Sequence, residues 1–282
     1  MSFTTRSEQK SCGGTFGLYT HHSETLGLDA NFAVFLPGEA STDRPVPVLY
    51  TLAGLTCTEE TFLTKSNAVR FAARHGLALV APDTSPRGAG IPGEDDSYDL
   101  GTAAGFYLDA TRTPWAAHYR MGSYLSEELP ALIRSAFPID DTRRGITGHS
   151  MGGHGALVHA LRAPDRWKSV SAFAPIVHPA SCPWGEKAFT AYLGSDPDSW
   201  ASWDATLLLR AGYTHPTPIL IDQGDADQFL TGELKTHYIE EAARNASQSL
   251  HLRMQPDYDH SYWFIQTFIE DHIVHHAKIL KS

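Results

Sequence analysis

The stretch Gly148-His149-Ser150-Met151-Gly152-Gly153-His154-Gly155-Ala156-Leu157 constrains this chain more than any other. It contains G-x-S-x-G, with strand character before it (residues 143–147) and helical character after it (156–161). A sharp strand-to-helix elbow holds its serine in a strained backbone conformation at the top of a sheet. Glycines flank such a serine because any side chain there would meet the neighbouring strand or helix. A glycine-rich turn that merely contains a serine needs neither the strand before it nor Gly153 and Gly155 after it. The segment therefore asks for a sheet with crossover helices and, at Ser150, for a nucleophile.

The rest of the chain can supply that sheet. Apolar runs at residues 30–36, 46–52, 77–81, 169–173 and 219–222 read as strands. Leu250, Leu252 and Met254 alternate with His251 and Arg253, as in a strand with one covered face. Helices are expected over 60–74, over 119–137 with a kink at Pro130, over 234–244 and over 261–280. Strands alternating with helices predict an α/β protein of the α/β-hydrolase fold, with a mainly parallel central sheet flanked by helices. Ligands then bind beyond the C-terminal ends of the strands. No helix separates the first two strands, which predicts an antiparallel edge. Residues 82–113 are long, irregular and rich in Gly, Pro and Asp, and such segments inside a domain are usually functional. With no repeat and no low-complexity linker, residues 1–282 read as a single domain.

A chain of 282 residues with 42% hydrophobic and 19% charged residues can bury a core without disulfide or metal staples. Its net charge of −10 disfavours nucleic acid and anionic membranes as partners, and an anionic substrate would need local basic groups. Cys12, Cys57 and Cys182 are widely spaced and form no zinc pattern, which points to a reducing compartment. The first residues lack the apolar core of a signal peptide. No stretch approaches the ~18 consecutive apolar residues of a membrane span. A cytoplasmic protein is expected.

A serine hydroxyl needs an adjacent base, and the base an orienting carboxylate. In this fold they follow the serine in the order Asp or Glu, then His. Residues 221–229 offer Asp222, Asp225 and Asp227; spacing favours Asp227 only modestly, because it lies deeper in the loop. His260, in a turn-rich segment between the last strand and the last helix, is the candidate base. His272, His275 and His276 are assigned to the surface of the final helix, His154 and His159 to the helix behind the elbow. No carboxylate or cysteine falls at a metal-ligand spacing with them, so no metal is expected. The oxyanion hole needs the N–H of the residue after the nucleophile, Met151, and one from the loop after an early strand, where Leu55 is the candidate. That loop lacks the His-Gly-Gly-Gly of lipases, which counts against a lipid esterase.

Read this far, the chain resembles the S-formylglutathione hydrolase (esterase D) family over nearly its whole length. The resemblance rests on Gly54-Leu55-Thr56-Cys57-Thr58-Glu59-Glu60, on residues 81–88 and 104–111, on the elbow, and on Cys182-Pro183-Trp184-Gly185-Glu186-Lys187-Ala188-Phe189. Ile221-Asp222-Gln223-Gly224, Asp227-Gln228-Phe229-Leu230 and Tyr258-Asp259-His260-Ser261-Tyr262 complete it. It implies hydrolysis of S-formylglutathione to glutathione and formate, no cofactor and a homodimer. It implies the triad Ser150, Asp227 and His260, selecting one of three aspartates, with Leu55 and Met151 as oxyanion donors. Cys57 reads either as packing or as a thiol beside the site, and Trp184 either as core or as a wall of the substrate cleft. Tyr98, also assigned to that wall, stands where the family usually has Trp. Arg87 and Lys187 are candidates for the glutathione carboxylates, with plain surface charges as the default. The alternative is a short-chain carboxylesterase of broad specificity on the same fold. A non-catalytic binding module is disfavoured because all three triad residues are present.

Overall fold

In the computed structural model, residues 2–282 are described. Nine strands form one sheet: β1 (Thr4–Ser11), β2 (Gly14–Ser23), β3 (Leu28–Leu36), β4 (Val46–Leu52), β5 (Ala78–Pro82), β6 (Ile139–His149), β7 (Ser169–Phe173), β8 (Ile219–Gly224) and β9 (Leu250–Gln255). Their order in space is β1-β2-β3-β5-β4-β6-β7-β8-β9. From β5 to β9 every neighbouring pair is parallel. From β1 to β5 the pairs are antiparallel. The fold is that of an α/β-hydrolase. Of the two strands expected at the antiparallel edge, only β3 lies there. β4 sits inside the parallel part because β5 inserts between them.

β4, β5 and β7 are buried along their whole length, as strands covered on both faces must be. The covering helices are α1 (Thr61–Lys65), α2 (Ala68–Arg74), α3 (Met121–Ser123), α4 (Leu129–Ala136), α5 (Met151–Arg162), α6 (Pro183–Leu193), α7 (Ala205–Arg210), α8 (His237–Asn245) and α9 (Tyr262–Leu280). The single helix expected over 60–74 is two. Asn67 takes a left-handed conformation at φ 63°, and the Ser66 hydroxyl accepts the Ala68 N–H at 3.1 Å to start the second. Ahead of Pro130 the chain widens into a π-helical turn, Tyr124–Glu128, instead of a simple kink. Pro130 has no N–H to give, and the wider turn carries the helix past it.

Strands β1 and β2 have no counterpart in the sequence-based expectations. β1 is exposed over most of its length and so carries no apolar alternation. β2 turns Tyr19, His21 and Ser23 inward. His21 bonds the Tyr124 hydroxyl (3.0 Å) and Ser23 bonds Glu128 (2.8 Å), so this inward face is partly polar.

The surface assignment of His272 and His276 is overturned, and His275 is only partly exposed. α9 meets the sheet through a polar seam. His276 bonds the hydroxyls of Ser169 (2.7 Å) and Ser171 (2.8 Å), and His272 lies between Ser171 (2.8 Å) and Asp222 (3.0 Å). His275 donates to Val170 O at 3.2 Å. Met254 is corrected in the other direction: Leu250 and Leu252 are partly covered, but Met254 is 46% exposed. Among the described residues, 83–114 hold no helix or strand. This segment is pinned onto α5 by His154, which donates to Phe106 O at 3.1 Å, and by His159, which donates to Tyr107 O at 2.8 Å. Burial holds both imidazoles down at about 4, so they stay neutral.

Candidate active site

The serine sits where the elbow requires it. β6 ends at His149, Ser150 has φ 58° and ψ −117°, and α5 begins at Met151. A conformation of this kind costs about 1–3 kcal/mol and persists only where its surroundings impose it. They do so through backbone contact. A Cβ on Gly148 would lie 2.2 Å from Gly152 O, and one on Gly152 would lie 2.1 Å from Leu52 O. The Ser150 N–H donates to Phe173 O at 2.9 Å, and Ser150 O accepts from Ile176 N at 3.3 Å.

Of the three candidate aspartates, only Asp227 meets His260. His260 Nδ1 donates to Asp227 Oδ2 at 2.6 Å, and Oδ1 of the same carboxylate accepts the Phe229 N–H at 2.8 Å. With Nδ1 donating, Nε2 is left as the acceptor nitrogen of a neutral ring. Asp222 is fully buried and held by Arg253 through two bonds (2.7 and 2.5 Å), by Gln255 (2.9 Å) and by His272. Burial alone would raise its pKa, but these donors outweigh burial and take it down to about 2. Asp225 accepts the Asp257 N–H at 2.7 Å. With the Ala226 N–H donating to Tyr258 O at 3.1 Å, that bond ties the Asp227 loop to the His260 loop.

Ser150 and His260 line one cavity of about 230 Å³, and Leu55, Cys57, Tyr98 and Trp184 line it too. A larger cleft of about 520 Å³, between β1, β2 and the α1–α2 segment, contains none of Ser150, Asp227 and His260. The Leu55 loop lies against the elbow: a Cβ on Gly54 would be 3.2 Å from Ser150 Cβ. Among the described residues, neither the Leu55 nor the Met151 amide has a hydrogen-bond acceptor.

Trp184 Nε1 donates to the Tyr98 hydroxyl at 2.9 Å. Its ring lies 4.7 Å from Phe229, which in turn lies 5.1 Å from His260. Trp184 therefore forms a cavity wall. Burial pushes the Cys57 thiol up, away from thiolate character. Arg87 does not face the cavity as a free charge. It bonds Asp83 and, at 2.8 Å, Cys57 O, bracing the loop that carries Leu55. Lys187 bonds Asp99 at 2.5 Å and Ser97 at 2.7 Å, flanking Tyr98.

Four further residues emerge here without a sequence-based role. Phe229 and Tyr262 line the cavity, as does His149, whose ring lies 4.5 Å from that of His260. Burial holds the His149 pKa well below its ordinary value. Its place directly before Ser150 was the available signal. Gln223 also reaches Asp227 Oδ2, at 3.2 Å. No helix among the described residues is long and apolar enough to cross a membrane.

A family model described as "Putative esterase" matches residues 23–275. S-formylglutathione hydrolase of Mus musculus is 51% identical over 277 residues, covering 98% of each chain. That of Arabidopsis thaliana is 53% identical over 264 residues, covering 93% of each. Among solved structures, an S-formylglutathione hydrolase from Agrobacterium tumefaciens is 48% identical with a TM-score of 0.95, over 98% of this chain and 99% of that one.

Proposed function

The chain belongs to the S-formylglutathione hydrolase family of esterases, and from that membership we propose that it hydrolyses S-formylglutathione to glutathione and formate through a formyl-enzyme on Ser150. His260 Nε2 takes the Ser150 proton as Oγ attacks the formyl carbonyl. Asp227 holds the tautomer and stabilises the imidazolium that forms. The Leu55 and Met151 N–H groups receive the oxyanion, and losing one such donor typically costs about 10²–10³ in turnover. The C–S bond then breaks and His260 returns its proton to the departing glutathione sulfur. A thiol of pKa about 8.5 needs less acid help than an alkoxide would. Water, deprotonated by His260, attacks the formyl-enzyme; the bond to Oγ breaks, His260 returns the proton to Ser150 Oγ, and formate leaves. The observation that carries this reading is the 2.6 Å Asp227–His260 bond behind a cavity that both His260 and Ser150 line.

The cavity's modest size suits the smallest acyl group. The unpaired Cys12, Cys57 and Cys182 fit a reducing, cytoplasmic setting, and the family resemblance supports a homodimer, which sedimentation of the purified protein reads directly. The test of the substrate is kcat/KM for S-formylglutathione, followed as thiol release, against p-nitrophenyl acetate. A clear preference for the thioester is expected. Equal or reversed efficiency would make the protein a broad short-chain carboxylesterase.

A further inference from the structure

Directly behind Asp227 lies a buried chain of hydrogen bonds that no part of the reaction above uses. Gln223 is fully buried at the end of β8, and Thr236, at the start of α8, is 2% exposed. The Thr236 hydroxyl donates to Gln223 Oε1 at 2.9 Å. Gln223 Nε2 donates to Gly224 O at 3.1 Å and to Asp227 Oδ2 at 3.2 Å. The amide orientation follows from these partners. Turned over, its oxygen would face a carboxylate and a carbonyl, which can only accept. Asp227 Oδ2 is also the oxygen that receives His260 Nδ1. The carboxylate is thus fixed from the front by His260, from the side by the Phe229 N–H and from behind by Gln223.

We infer that Gln223 and Thr236 form a positioning relay that holds Asp227 in the one orientation from which it can orient His260, a proposal that rests on the triad reading above. A carboxylate with two rotatable bonds and one partner could turn so that its oxygens leave Nδ1. A carboxylate with donors on three sides cannot. The relay touches neither substrate nor reacting atoms, so it acts on Ser150 only through Asp227 and His260. Thr236 follows directly on the π-helical turn Leu230–Leu234 and Lys235. The Glu233 carboxylate of that turn accepts the Trp184 N–H at 3.0 Å, so the segment that braces the relay also seats a wall of the cavity.

The test reads the activation of Ser150 in two ways, by turnover of S-formylglutathione and by the rate at which a fluorophosphonate modifies Ser150. Gln223→Met keeps the length of the side chain and removes its donor. It should lower both kcat and the modification rate about tenfold, roughly the worth of one hydrogen bond to a charged group, with KM changed by less than about twofold. In an Asp227→Asn background the same substitution should cost nothing further, because the relay has no other route to Ser150. Thr236→Val should lower both rates about threefold, and Thr236→Ser, which keeps the hydroxyl, should restore them. A loss that multiplies with Asp227→Asn, a change confined to KM, or an unchanged modification rate would each overturn the relay. If Gln223→Met does not fold, the Thr236 pair decides alone. Failure of the triad reading shows differently: wild-type protein would then not be modified at Ser150 at all.

Discussion

Mild acid should destabilise this protein, and buried histidines are the reason. His149, His154, His159, His275 and His276 are all held below their ordinary value of 6.5, chiefly by burial, three of them to about 4. In the unfolded chain each binds a proton near pH 6.5, and in the folded chain it does not. For the three held to about 4, the contribution to stability is therefore complete above about pH 6.5 and is lost as pH falls toward 4, at about 1.4 kcal/mol per pH unit each. One unit below the unfolded value, near pH 5.5, those three together cost about 4 kcal/mol, and His149 and His276 act in the same direction. The whole stability of such a domain is about 5–15 kcal/mol. Thermal unfolding followed by circular dichroism at about pH 7.5 and about pH 5.5 should show a fall in Tm of about 8–16 °C. His154→Gln can keep the bond to Phe106 O without titrating, and should flatten the dependence by about 1.4 kcal/mol per pH unit. A Tm that moved by only a few degrees would mean that these imidazoles are protonated in the folded state, and the argument from burial would be wrong.

Other consequences concern the elbow and the seam beneath it. Gly152→Ala places a Cβ against Leu52 O, a backbone atom that cannot step aside, and should cost at least about 3 kcal/mol in urea unfolding together with most of the reactivity of Ser150. Arg253→Met strips Asp222, fully buried, of two of its hydrogen bonds. The guanidinium is partly exposed, so a loss of about 2 kcal/mol is expected in the same assay, with kcat near that of the wild type, since Asp222 does not touch His260. Trp184→Phe removes the bond to Tyr98 and should raise KM for S-formylglutathione more than it lowers kcat.

What could be read from the sequence was local. The elbow was legible because its requirements fall within five residues: Gly148 and Gly152 are there to let backbones meet. The central strands were legible because burial on both faces leaves only apolar residues. The choice among Asp222, Asp225 and Asp227 was not legible from spacing. It depends on what each carboxylate meets from distant segments: Arg253 and His272 for one, the Asp257 N–H for another, His260 for the third. The family resemblance selected Asp227, and only folding brings it to His260. Residues His272 and His276 were misassigned because a polar imidazole carries no signal of burial by itself; the serine hydroxyls that receive them lie on distant strands. β1 and β2 escaped for a related reason, since one is exposed and the other is anchored by polar contacts. The role of Gln223 depends on Thr236, thirteen residues away in sequence. No pattern in the strand itself distinguishes it from an ordinary buried amide.

The central claim is that Ser150 carries the reaction. Thiol release from S-formylglutathione should be compared for the wild type and for Ser150→Ala, with circular dichroism to show that both are folded. Turnover is expected with the wild type, and none above the uncatalysed rate with the variant. A folded Ser150→Ala that releases glutathione at near the wild-type rate would contradict it.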